Sequence, residues 1–486
     1  MSGTVGPGEG PLTSSPPEAW APLWRLGQLA SRPVDRFLRI EAASGILLFL
    51  AAIIALIWAN SPWAESYWHL WHTPIGLQLG EFRFERDLEW FVNDALMVIF
   101  FFVVGMEIRR EIYDGALSGW RRAALPTAAA LGGMAVPACI YLLLAGSPPT
   151  HAGWGVPMAT DIAFAVGVLA ILGPRVPNAL RILLLALAVI DDLGAIVVIA
   201  IFYSTGVSVS GFVVAAAGFL GIFAMQGLGV RAKLAYIAPA LVAWGGIYSA
   251  GVHPTIAGVI VGLITPVRAW LGPDGFVDGV RKEIDTVAAT DFATMSSEDF
   301  SVALRRVNVA RREAVSPAEQ LTVMLHPWVA FVIMPIFALA NAGVTLGGVS
   351  FDGTATRVAL GAALGLVLGK PIGVLLMCGL TLRLKIASLP EGIGRRHLTV
   401  LGVVAGIGFT MALFIAQLAF KNESFLAAAK LGVLGASLVT AILGLLLGRV
   451  LLKPMSHRAG HATEDRRVEA TATVAATAGA THGEKA

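Results

Sequence analysis

The sequence predicts an all-α protein that crosses a membrane many times, and three observations carry that prediction. Of 486 residues, 56% are hydrophobic and 14% charged, and the mean hydropathy is +0.75. A soluble domain carries about 25% charged residues, so water is not the main solvent of this chain. Several apolar runs reach about 18–25 residues, enough to cross a hydrocarbon core of about 30 Å as helix. Basic residues also crowd alternate loops, as the Lys/Arg rule for membrane topology requires. A nucleic-acid partner is not expected, because the net charge is only +3 and most basic residues sit in short stretches between apolar runs. Cys139 and Cys378 lie far apart within apolar runs, without disulfide or zinc spacing, and are expected as two buried thiols. No cofactor is expected.

In chain order, residues 1–35 are read as a disordered Pro/Gly/Ser-rich start running into a basic amphipathic stretch, LWRLGQLASRPVDRFLRIEAA, suited to a membrane surface. This start lacks the early apolar core of a cleavable signal peptide, so the first spanning helix is expected to be its own targeting signal. Residues 36–267 hold spans one to eight, near 43–60, 91–109, 124–145, 156–173, 179–203, 210–227, 234–249 and 253–267. Residues 268–324 form an insert, and residues 325–452 hold spans nine to twelve, near 325–345, 358–380, 398–419 and 428–451. The tail, 453–486, is polar, Ala/Thr-rich and expected to be disordered. Arg109/Arg110/Arg121/Arg122, Arg175/Arg181, Arg231/Lys233 and Arg383/Lys385/Arg395/Arg396 mark one side, whereas GSPPTHAG, STGVSVS and SAGV carry no positive charge. The alternation implies an even number of spans, with both termini and the insert in the cytoplasm.

Two connections are longer than simple turns. TPIGLQLGEFRFERDLEW alternates apolar and polar residues around Gly-Glu and predicts a small external β-hairpin. A lone hairpin in water is marginal, so pairing with a second subunit, as a homodimer, is expected. In the insert, Phe300, Ala303, Leu304, Val307 and Ala310 recur at helical spacing, with Arg305, Arg306, Arg311 and Arg312 over much of the rest, a pattern suited to anionic lipids. Ser316, Pro317 and Glu319 then read as N-cap, N1 and N3 of the next helix.

The ionisable residues inside apolar runs are few, and each is a functional candidate by default. Asp191 and Asp192 sit together in LALAVIDDLGAIVVIAIFYS, Asp161 in PMATDIAFAVGVLAILG, and Lys370 in LGAALGLVLGKPIGVLLMCGL. Two Asp at a helix centre cost roughly 5–7 kcal/mol on insertion scales before compensation. Three carboxylates against one lysine leave a negative surplus that a purely structural ion-pair set would not need. Neighbours on a helix point about 100° apart, so one of the Asp191/Asp192 pair can line a cavity while the other turns toward a partner such as Lys370. Burial disfavours a charged carboxylate and a nearby ammonium favours it, which poises such a site to titrate. A carboxylate that is either protonated or bound to a hard cation makes the two ligands compete, and competition at one alternately exposed site is exchange. Asp94 and Glu107 lie near the ends of the second span, where an interfacial cap or a surface ion pair competes with a gating role.

Two stretches predict broken helices. Thr160 and Asp161 follow Pro157, and Gly402, Gly406 and Gly408 precede Thr410. Unwound backbone is tolerated in mid-membrane only where it lines a cavity or is buried in protein. Half-helix N-termini carry partial positive charge and C-termini partial negative charge, so Asp161 can offset the first kind and Lys370 the second. Gly361, Gly365, Gly369 and Gly373 form a small-residue ridge beside Lys370.

These motifs together, with NDALMVIFFFVVGMEIRRE, SGVHPTIAGVIVG, LHPWVAF, FALANAGV, GKPIGV and GIGFTMALFIAQLAF, make residues 36–452 resemble an NhaA-type Na+/H+ antiporter. The resemblance implies a transporter of the bacterial inner membrane, not an enzyme. It would exchange cytoplasmic Na+ (or Li+) for external H+, electrogenically and more actively at alkaline pH. Inverted repeats, for which this family is a standing example, would comprise spans three to five and ten to twelve. Asp192 would be the principal Na+ and proton carrier, with Asp191 a second carrier or the partner of Lys370. Asp161 and Thr160 would sit where the broken helices cross and complete the cation- and proton-binding set, with Glu107 in the cytoplasmic funnel and His253 in a motif tied to pH response. Family members often carry a Glu-His pair just before LHPW, whereas here Thr322 and Val323 stand there, so the pH profile does not carry over with the rest.

Other readings fit less well. A membrane aspartyl protease needs carboxylates converging from different helices. A P-loop needs four residues between its glycines and Ser/Thr after Lys, but GLVLGKP has three and Pro371. No carbonyl-filter motif supports a channel. The alternative that remains is an ion-coupled symporter of a small organic anion on a related fold.

Overall fold

The structure, a computed structural model, describes residues 41–80, 82–204, 206, 208–289, 296–348, 353–390 and 392–453. The expected disorder of residues 1–35 and of the tail beyond 453 lies outside the described residues.

Helix α1 (Glu41–Ala59) turns by 116° into the short α2 (Ala64–Trp71). The hairpin follows where the alternating stretch places it. Strand β1 (Pro74–Leu79) pairs antiparallel with β2 (Phe82–Asp87), from Pro74 opposite Asp87 to Leu79 opposite Phe82. Gly80 at the turn has φ +62°, which a residue with a Cβ rarely adopts. Asp87 ends the strand and starts α3 (Leu88–Tyr113), accepting a hydrogen bond from Trp90 N at 2.9 Å. The cap of this helix is therefore Asp87; Asp94 lies further in and caps nothing.

The chain continues through α4 (Trp120–Ala145), a 3-10 segment Thr150–Met158, α5 (Ile162–Leu172), α6 (Asn178–Phe202), α7 (Val209–Gly227), α8 (Ile237–Ser249) and α9 (Thr255–Ile264). Two insert helices, α10 (Gly272–Ala289) and α11 (Ser297–Glu313), come next. Then follow α12 (Pro317–Asn341), α13 (Gly353–Arg383), α14 (Arg395–Ala405), α15 (Phe409–Ala419) and α16 (Glu423–Leu451). Seven described helices are long and apolar enough to cross a bilayer, and ten spans result when each bent pair is one crossing. All twelve expected stretches fall on helix, but α8 and α9, with 13 and 10 residues, fall short of that length. Ser316 caps α12 as expected, accepting from Glu319 N at 3.2 Å.

Packing rests on small residues. A methyl group at Gly373 would lie 2.0 Å from Gly132 O, so α13 and α4 touch backbone to backbone. This bears out the glycine ridge. One expectation fails: Cys378 is buried, but Cys139 is exposed on the outward side of α4. An apolar outer face needs no water-free interior, so hydrophobic context did not predict burial of this thiol.

Among the described residues three helices contain a π-turn, Phe91–Leu96 in α3, Val329–Ile333 in α12 and Gly365–Gly369 in α13. The extra residue rotates the helix beyond it, and such turns favour functional positions. Here they hold Asp94 and immediately precede Lys370.

Candidate functional site

The two breaks meet. The 3-10 segment Thr150–Met158 and the helix after it bend by 40°, and α14 and α15 by 43°. Asp161 N donates to Ile407 O at 2.7 Å, joining the unwound strands directly. Its carboxylate caps both following half-helices. Oδ1 accepts from Phe164 N at 3.0 Å, and Oδ2 accepts from Thr410 N at 3.1 Å and Thr410 Oγ1 at 2.5 Å. An anion at two N-termini offsets both partial positive charges. Glycine is needed for the approach: a Cβ at Gly406 would lie 2.6 Å from Leu366 O, and one at Gly408 3.1 Å from Ala159 O. Ser437 on α16 steadies the same break, accepting from Phe409 N at 3.1 Å.

Beside the crossing runs α6, with Asp191 and Asp192 both 0% exposed. Lys370 Nζ lies 2.9 Å from Asp191 Oδ2, both side chains fully buried. The same ammonium donates to Met158 O, the carbonyl end of the first half-helix. Thr160 Oγ1 lies 2.7 Å from Asp191 Oδ2 as donor and 3.1 Å from Ala405 O. The two aspartates therefore differ completely. Asp191 is held by an ammonium and a hydroxyl through one oxygen. Asp192 has no hydrogen-bond partner at either oxygen among the described residues, and Asp191 Oδ1 has none.

The remaining candidates make no ion pair with this centre among the described residues. Asp94 and Glu107 share α3, about 20 Å apart along the helix axis. Asp94 Oδ1 is 3.5 Å from His253 Nε2, and His253 Nδ1 is 2.9 Å from Thr255 Oγ1. His253 meets Phe414 edge-on at 5.3 Å. Glu107 makes no ion pair within 4.0 Å among the described residues.

Sequence reading missed several buried polar groups. Asn93 and Asn341 exchange amide contacts at 2.7 and 3.3 Å, joining α3 to α12. Lys430, 6% exposed, sits in α16, and Gln417 Nε2 donates to Glu89 Oε1 at 2.7 Å nearby. Lys430 stands close to the predicted start of its span, where snorkelling would ordinarily expose it. The signal was its flanking run, FLAAAKLGVLG, apolar on both sides.

Comparison with known proteins agrees with this architecture. The family described as Na+/H+ antiporter 1 matches residues 35–447. A Na(+)/H(+) antiporter NhaA 2 of Myxococcus xanthus (strain DK1622) is 64% identical over 472 residues, covering 97% of this chain and all of the relative. Its namesake in Sorangium cellulosum (strain So ce56) is 52% identical, covering 96% of this chain and 99% of the relative. One in Pseudomonas putida (strain KT2440) is 48% identical, over 87% of this chain and 94% of the relative. With its crossed broken helices and buried aspartate pair, this multi-pass membrane chain belongs to the NhaA family of Na+/H+ antiporters.

Proposed function

We propose that this protein exchanges cytoplasmic Na+ (or Li+) for external H+, with Asp192 carrying the two ions in turn. The observation that carries the reading is Asp192 itself, fully buried beside Asp191 and lacking a hydrogen-bond donor at either oxygen among the described residues. An unpaired buried carboxylate is costly, by several kcal/mol per ion. A proton neutralises it; so does a hard cation, which prefers carboxylate oxygen. The two cannot share it.

Asp191 plays the second part. Its charge is balanced by Lys370 while the site holds a proton, and its second oxygen remains free to face the cation. If only Asp192 titrated, one Na+ would replace one proton and no net charge would move. Electrogenic exchange needs a further proton, and the Lys370–Asp191 pair is the adjoining group able to release it. Asp161 is committed elsewhere, accepting three donors at the crossing. Its role, with Thr160, Gly406, Gly408 and Thr410, is to hold the breaks together so that the half-helices can rock about the site.

The reading sets twelve spans in the bacterial inner membrane, with α8 and α9 as short crossings and both termini cytoplasmic. The loop Lys/Arg alternation supports this. The breaks then fall in spans four and eleven, the middle members of inverted repeats formed by spans three to five and ten to twelve. Glu107 would serve the cytoplasmic approach, and Asp94 with His253 the external one, where pH is sensed. The hairpin, marginal alone, would join two copies.

The test is collapse of a pH gradient in everted membrane vesicles on adding Na+ or Li+. The wild-type protein should respond, and Asp192→Asn should not. Undiminished exchange in that variant would overturn the reading.

A further inference from the structure

The segment between α9 and α12 forms a helix pair that the exchange chemistry does not use. Its foot is fixed to the spanning helices. Leu271 N donates to Glu313 O at 3.0 Å and closes the pair. Arg231, from the α7–α8 connection, reaches Glu313 at 3.1 Å and lies over the Trp270 ring at 4.7 Å. Arg268 hydrogen-bonds Tyr113 at the end of α3. Trp270 itself is 74% exposed, as rings at a membrane–water boundary often are.

The two outer faces differ. Gly279 on α10 faces Ala310 on α11, where a Cβ would sit at an ordinary contact distance of 3.9 Å, and Ala303 and Val307 are half-buried on the same side. On the far side of α11, Phe300, Leu304, Arg311 and Arg312 are all exposed, and Arg305, also exposed, stands at the edge of the groove shared with Gly279 and Glu283 of α10. At 100° per residue they fall within an arc of about 140° that contains no acidic residue. None of these arginines has a carboxylate within 4.0 Å among the described residues. The outer face of α10 has no such bias, because Asp278 and Asp285 accompany Arg281 and Lys282.

We propose that the outer face of α11 rests on the anionic headgroups of the bilayer at whose surface its foot is fixed. Phe300 and Leu304 enter the headgroup–acyl boundary, and Arg305, Arg311 and Arg312 meet lipid phosphates; α10 faces water. Large apolar side chains among cations, without acids, are the pattern of interfacial helices. Three arginines near an anionic surface favour the docked state by roughly 100-fold over a neutral one. The proposal stands independently of the ion-exchange reading.

The experiment uses the full chain in nanodiscs, with a nitroxide on Leu304→Cys in a Cys139→Ser/Cys378→Ser background. In discs with equal parts phosphatidylglycerol and phosphatidylcholine, the label should be open to oxygen and shielded from a water-soluble nickel chelate. In pure phosphatidylcholine, or with Arg305→Gln/Arg311→Gln/Arg312→Gln, it should return to water. A label in phosphatidylglycerol as open to nickel as one on Asp285→Cys would overturn the proposal. So would shielding that persists without anionic lipid and in the triple variant, since that means protein covers the face. Na+-driven proton release from the same preparation reads the exchange function separately.

Discussion

The crossing of the broken helices and the middle of α6 are neighbouring buried regions that treat their carboxylates in opposite ways. At the crossing, Asp161 accepts two backbone N–H groups and a hydroxyl. On α6, Asp192 accepts none among the described residues. Asp191 stands between them, with one oxygen held by Lys370 and Thr160 and one free. Burial alone therefore does not mark a transport residue. On the proposed reading, the saturated carboxylate holds architecture together and the unsaturated one is available to a mobile ion.

That contrast can be broken by substitution, and the largest effect falls on Asp192. Asp192→Asn removes the charged ligand while keeping shape, so Na+-dependent exchange in vesicles should fall at least about 100-fold, cation affinity being set by ligand charge. Stability should change little, because no hydrogen bond is lost. Next comes Lys370→Met, which strands Asp191 and should cost about 3–5 kcal/mol in thermal unfolding in detergent. Adding Asp191→Asn should restore much of that loss, a coupling that a double-mutant cycle would detect. Thr410→Val removes the hydroxyl from Asp161 and should cost about 1.5–3 kcal/mol. Unlike Asp192→Asn, it should lower stability more than cation affinity. The smallest effect belongs to Arg306→Ala in the insert. Its pair with Glu283, at 3.5 Å, leaves the Arg306 side chain 65% exposed, so unfolding should shift by less than about 0.5 kcal/mol.

Much of this was legible in the sequence because membrane helices are punctuated by residues lipid does not tolerate. Charges, Gly and Pro delimited the helices, the hairpin alternated with period two, and Pro157 and Gly406/Gly408 marked the breaks. Asp161 and Lys370 fall on half-helix ends of the polarity each can offset. Residue pattern alone did not say which of Asp191 and Asp192 would face Lys370; geometry about 100° apart permits either, and only family likeness favoured Asp192 as carrier. The π-turns were illegible, since one extra residue per turn leaves no compositional trace. Helix α10 was missed for a different reason. Gly272, Pro273, Gly275 and Gly279 lower its helix propensity, and packing against α11 supplies what propensity does not. Lys430 went unnoticed because distance from a span end is a poor guide to depth when neighbouring helices cover it.

The central claim, that cation and proton displace each other at Asp192, is tested most directly by proton release. Purified protein in weakly buffered detergent, at a pH where the site is protonated, is titrated with NaCl against choline chloride. The account predicts acidification that saturates with Na+ and disappears in Asp192→Asn. Na+ binding without released protons, or equal release from the variant, would contradict it.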